Sequence, residues 1–163
     1  MGEYLRNDVN VGIGTDTYPH NMLDEMRTAA NAARLVSGTV ADLTFLDVFN
    51  AATVGGAIAL GRDDIGRLAV GAKADFVSVA LDHPAMMPVR EPLRSLLVVA
   101  LERAIRDVWV DGERVVEEGS LRTIDLQAES ERLQRAQAKM LAAVPAHDWA
   151  GRSADELAPM VLP

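Results

Sequence analysis

The chain has 163 residues, 49% of them hydrophobic, enough for one ordinary domain with a sizeable core and an appendage. Sixteen lysines and arginines face 24 acidic residues for a net charge of −8, which argues against a nucleic-acid partner because phosphate backbones demand clustered positive charge. Cysteine is absent, so disulfides, thiolate nucleophiles and zinc–thiolate sites are excluded. No run reaches the ~18 apolar residues of a membrane span, and no basic-then-apolar leader opens the chain, so a soluble cytoplasmic protein is expected.

Residues 1–8 read as the end of a helix and a turn, and residues 9–14 as a short strand. From Met22 to Val36 the apolar positions Met22, Met26, Ala29, Ala30, Ala33 and Val36 recur at helical spacing. Asn21 suits the N-cap of that helix, Asp24 and Glu25 its first turn, and Gly38 its end. Thr44 and Asp47 have capping-box spacing for a second helix. Its glycines, Gly55-Gly56, cost about 1 kcal/mol each relative to alanine, so close backbone packing or a break near Thr53 is expected. After Gly61 the chain turns β-rich. A strand is predicted at 75–81 and a hairpin over 104–119, with Asp111-Gly112 supplying the positive φ angles of a tight turn. Between them lie a proline-rich loop and a short helix over 93–103. The last long element, residues 126–144, places Leu133, Met140, Leu141 and Val144 on one stripe.

The stretch VNVGIGTDTYPHN carries the functional question. In a strand, Val9, Val11, Ile13 and Thr15 share one face, while Asn10, Gly12, Gly14 and Asp16 share the other. One face is suited to packing against helices. The other is almost bare until it ends in a carboxylate, as on the inner wall of a parallel barrel whose functional side chains emerge at the C-terminal mouth. Aspartates also begin turns after strands, and side-chain parity does not choose between the two roles. His20, alone in a proline turn, fits a solvated or capping residue better than a ligand. Gly12-Ile13-Gly14 lacks the further glycine and the lysine–serine pair of a phosphate loop. Ser95 has no histidine that the sequence places beside it, which argues against a nucleophilic serine.

The segments VNVGIGTDTYPHNMLDEMRTAANAAR, ATVGGAIALGRDDIGRLAVGAKADFVSV and AIRDVWVDGERVVEEG resemble the C-terminal third of amidohydrolase-superfamily enzymes, over residues 1 to about 120. The likeness is to the aminohydrolase and chlorohydrolase branch, which includes triazine hydrolases and cytosine and guanine deaminases. It implies an α/β chain in three parts. Residues 1–62 would be the end of a (β/α)8 barrel, with its last strand and helices; residues 63–122 would belong to a small β-sandwich, and residues 123–163 to a C-terminal helix and tail. It also implies that Asp16 is the final-strand aspartate, which contacts a catalytic divalent metal (zinc or iron) and takes a proton from the attacking water. His20 and Asn21 stand where relatives carry a serine- and asparagine-rich loop and are candidate substrate-binding residues. The implied substrate is a small molecule with a C–N or C–Cl bond to hydrolyse.

Two features depart from the family pattern. A full barrel takes about 250 residues, and only His20, His83 and His147 are available as histidines, with no His-x-His among them. The expectation is therefore a C-terminal fragment that binds no metal by itself. The alternative is a non-catalytic association module: a strand with two unpaired edges favours pairing with another chain, and a homo-oligomer is expected.

Overall fold

Helix α1 (Gly2–Arg6) precedes the first long helix, α2 (Met22–Ser37), in a computed structural model that describes residues 1–16 and 18–160. α2 forms as its sequence predicts. The Asn21 carboxamide oxygen accepts the N–H groups of Leu23 and Asp24 at 3.1 and 3.2 Å, and Gly38 at φ 69° closes the far end in the left-handed conformation. α2 turns Met26 and Ala30 into a core with Leu43, Val48 and Leu97. Helix α3 (Phe45–Asn50) starts at the Thr44–Asp47 capping box, widens into a π turn over Ala51–Gly55, and resumes as α4 (Gly56–Ala59). The break expected near Thr53 is this π turn. The close packing expected of the glycines is also present, because a Cβ on Gly55 would lie 2.4 Å from the Val11 carbonyl oxygen.

Residues 9–14 differ from expectation. They form no ladder, and the sheet among the described residues does not include them. A strand exists through its pairing. Here the segment's polar groups meet the π turn instead: the Ile13 N–H donates to the Ala51 carbonyl at 3.2 Å, and the Asn10 side-chain amide to that of Gly55 at 3.0 Å. The two-residue rhythm survives. Val11, Ile13 and Thr15 are half-buried while Gly12, Gly14 and Asp16 are exposed, and Ile13 packs against the α2 core. Gly12 departs from a purely open face. A Cβ there would meet the Gly56 Cα at 3.4 Å, whereas one on Gly14 would meet nothing within 4 Å.

The strands are β1 (Phe76–Val79), β2 (Ile105–Val110), β3 (Glu113–Glu117) and the short β4 (Ser120–Leu121), forming one sheet in that order. β1 and β3 flank β2 antiparallel, and Asp111 and Gly112, at φ 51° and 83°, make the predicted hairpin turn. The single helix expected over 93–103 is divided. Helix α5 (Pro92–Ser95) passes into a π turn at Leu96–Ala100 and a 3-10 turn at Leu101–Ala104, which seat Leu96, Ala100 and Ala104 around buried Met86. Across the sheet, Phe76 stacks on Trp109 with ring centroids 4.3 Å apart, and the Arg114 guanidinium lies 5.4 Å from the Trp109 ring. Beside them Asp107, 5% exposed, accepts from the Glu118 N–H at 3.0 Å, the Ser78 hydroxyl at 2.9 Å and the Arg114 guanidinium. The Glu118 N–H, then Arg114 and Ser78, hold its carboxyl at about 2, below the ordinary 3.8. The whole is a mixed α/β chain with a small antiparallel sheet.

The chain divides into two compact units, Met1–Ser120 and Leu121–Pro163. The second consists of α6 (Leu126–His147), capped by Asp125, and α7 (Ala154–Leu157), which starts at a Ser153–Glu156 capping box. α6 runs past its predicted end and holds Pro145 in its last turn. Asp148 gathers the turn between them, accepting from the Ala150 and Arg152 N–H groups and from the Arg152 guanidinium.

Two outcomes follow from these contacts. Gly55→Ala lowers the urea midpoint, by about 1–3 kcal/mol of stability as overpacked sites do, because its methyl must displace the Val11 carbonyl. Gly56→Ala, whose methyl meets only the Ala51 oxygen at 3.8 Å, raises stability by about 0.4–1 kcal/mol. As for pH, the folded chain binds the Asp107 proton less readily than the unfolded chain. Its contribution is complete above 3.8 and is lost as pH falls through about 2. Asp107→Asn is therefore less stable at neutral pH, and its gap to the parent narrows over that interval in unfolding curves recorded across acid pH.

Candidate functional site

The exposed end of segment 9–16 is built from the π turn outward. Anchored at Asn10 and Ile13, the chain carries Asp16 to the surface at φ 51°, a left-handed conformation that aspartate tolerates better than most residues. Beyond it the chain folds back. Thr15 Oγ1 and His20 Nδ1 are 3.2 Å apart, and the Asn21 N–H donates to the Pro19 carbonyl at 2.9 Å. Thr15, Asp16, His20 and Asn21 thus share one short loop at the start of α2, with Asp16 and His20 exposed.

Asn21 is the most committed of them. Its oxygen caps α2, and one of its amide hydrogens goes to Glu102 Oε2 at 2.9 Å, which leaves one amide N–H over. Asn21, foremost, holds the Glu102 carboxyl below its ordinary value. Glu102 was not visible from the sequence, since it lies 81 positions away and follows Leu101, whose φ of 50° no motif signals. That conformation costs a non-glycine residue about 1–3 kcal/mol and is held by burial of the Leu101 side chain, which is 9% exposed.

A catalytic divalent ion takes about three protein ligands and keeps an open position. Among the described residues no group of three or more histidines, aspartates or glutamates gathers where an ion could sit. Asp16 was the one metal contact expected from the sequence, and no further carboxylate or imidazole joins it in such a group. His20 is engaged with Thr15, and His83 Nδ1 accepts the Ala85 N–H at 3.1 Å. The residues present do not by themselves fit the metal. What the loop carries is an exposed carboxylate, an imidazole held by Thr15 and an amide, groups able to accept a proton and to hold a polar ligand.

Residues 1–115 match the amidohydrolase family. A 5-methylthioadenosine/S-adenosylhomocysteine deaminase of Natronomonas pharaonis is 37% identical over 143 residues, 85% of this chain and 33% of the relative. A protein of the same name from Desulfitobacterium hafniense is 42% identical over 129 residues, 77% of this chain and 30% of the relative. Among solved structures, an adenosine deaminase from Xanthomonas campestris with bound zinc has a TM-score of 0.79 at 33% identity, covering 85% of this chain and 33% of that one. An atrazine chlorohydrolase from Arthrobacter aurescens complexed with zinc has a TM-score of 0.74 at 29% identity, covering 82% and 31%. The chain spans about a third of the length of the curated relatives it matches.

Proposed function

As the chain belongs to the amidohydrolase family, we propose that it is the C-terminal part of a metal-dependent hydrolase that cleaves C–N bonds by deamination, or C–Cl bonds, in a small molecule. Residues 1–62 are the end of its barrel, with residues 9–14, which form no ladder in this chain, in the place of the last strand; residues 63–122 are its β-sandwich segment and residues 123–163 its terminal helix and tail. Asp16 is the carboxylate that takes the proton of the attacking water and passes it to the leaving group, on the metal side of the site. His20 and the spare N–H of Asn21 face the substrate. The observation that carries this assignment is the placement of Asp16. It stands exposed at the end of a segment whose other face is pinned to a helix, with bare Gly14 beside it. Because the donor set is incomplete, the chain alone is catalytically silent and the remaining ligands come from elsewhere in the enzyme.

The purified chain is expected to hold no stoichiometric zinc or iron, and one tightly bound ion per chain in elemental analysis would contradict that. The positive test is a chimera in which residues 1–115 replace the matching portion of the Xanthomonas campestris deaminase. It should release ammonia from adenosine, and Asp16→Asn should lower its kcat by about 10²–10⁴-fold with the far-UV spectrum unchanged. A variant as fast as the unsubstituted chimera would remove Asp16 from the mechanism.

A second assignment, self-association with another copy, is favoured by one observation. Among the described residues, the Ile13 N–H is the one backbone group of residues 10–16 with a backbone partner, so the segment offers unpaired groups to another chain. Light scattering at micromolar concentration should then give a multiple of the 17.5 kDa chain mass, and a monomer mass would exclude it.

A further inference from the structure

We propose that Glu102 is a positioning residue for the Asp16 loop, acting through Asn21; the importance of that loop rests on the function proposed above. The segment that presents Glu102 is anchored on both sides. Leu101 is buried at φ 50°, and on the other flank the Arg103 guanidinium donates to the carbonyls of Ala100, at 3.1 Å, and Val99. The same segment packs against the start of α2, since Leu23 touches the cluster of Met86, Leu96, Ala100 and Ala104. Glu102 therefore projects from a fixed platform and meets the Asn21 amide at 2.9 Å.

Asn21 connects this platform to the loop. Its oxygen caps α2, its own N–H reaches back to the Pro19 carbonyl, and the next contact inward is Thr15 with His20, one residue from Asp16. Capping alone requires only the oxygen. The donated hydrogen bond to Glu102 is a separate restraint, across 81 positions, on the side chain that caps the helix where the loop enters it. The cap sets where α2 begins, and the Glu102 contact sets how the Asn21 amide plane, and with it the returning chain at Pro19 and His20, is oriented against the platform.

The two roles of Asn21 can be separated by substitution. Asn21→Ser keeps an oxygen that can cap α2 but removes the amide N–H that reaches Glu102, and its hydroxyl, one atom nearer the backbone, is too short to span the same distance. Glu102→Ala removes the acceptor, and Glu102→Gln restores it without the charge. The readout is the backbone ¹⁵N order parameter of the 163-residue chain, with thermal unfolding recorded for each protein. In the parent, Asp16 and His20 should behave as rigid backbone, with order parameters near ~0.85, and in Asn21→Ser and Glu102→Ala these should fall below ~0.6, while the body of α2 stays rigid. Glu102→Gln should return them to the parent value. The proposal is overturned if Asn21→Ser leaves Asp16 and His20 as ordered as in the parent, or if Glu102→Gln behaves like Glu102→Ala. Should Glu102→Ala fail to fold, the Asn21→Ser and Glu102→Gln pair still decides. No metal, substrate or turnover enters this measurement. A failure here beside an active chimera sensitive to Asp16→Asn refutes the positioning role alone, and an inactive chimera beside a loosened loop refutes the hydrolase assignment alone.

Discussion

The contact between segment 10–13 and the π turn at Ala51–Gly55 is the constraint on which the presentation of Asp16 depends. It takes three components from different levels of the chain. Gly55 has no Cβ, so the Val11 carbonyl can come within reach; the widened turn leaves the Ala51 and Gly55 carbonyls available; and Asn10 and Ile13 supply the donors. The segment borrows from a helix the hydrogen bonds that a ladder would have provided. With its half-buried face committed to that helix and to the α2 core, its remaining face points Gly14 and Asp16 outward.

The rest of the larger unit stiffens this arrangement from two directions. On one side α2 begins at Asn21, and its buried Met26 and Ala30 lock it to Val48 of α3, which leads into the π turn. On the other, the broken helical run 92–104 packs Leu97 into that same core and Leu96, Ala100 and Ala104 into a second one around Met86. Leu101 and Glu102 lie at the end of that run, so the tie to Asn21 closes a circuit from loop to helix to core and back. The sheet is held by a separate device, the Asp107 network with the Phe76–Trp109–Arg114 row beside it. Its buried carboxylate has enough donors to remain charged.

The family relationship fits these details without accounting for all of them. The relatives and solved structures include deaminases and a zinc-bound chlorohydrolase about three times as long as the matched part. No ligand cluster forms among the described residues although three histidines and 24 acidic residues are present, because the fold does not gather three of them at one place.

What could be read in the sequence was local. The Asn21 cap, the Gly38 stop, the Thr44–Asp47 box and the Asp111-Gly112 turn each depend on residues within a few positions of one another, and each forms as predicted. The exposure alternation along 11–16 was legible for the same reason, as a two-residue period needs no distant partner to be seen. Tertiary structure alone decided whether that period became a ladder, because pairing requires a neighbouring strand. It also decided why Gly55 must be glycine, since Val11 is 44 positions away, and how residues 92–104 break into three turns to seat two cores. Glu102 at Asn21 belongs with these. Nothing in either residue's surroundings in the sequence encodes a contact made only after both cores have brought α2 and the strained Leu101 together.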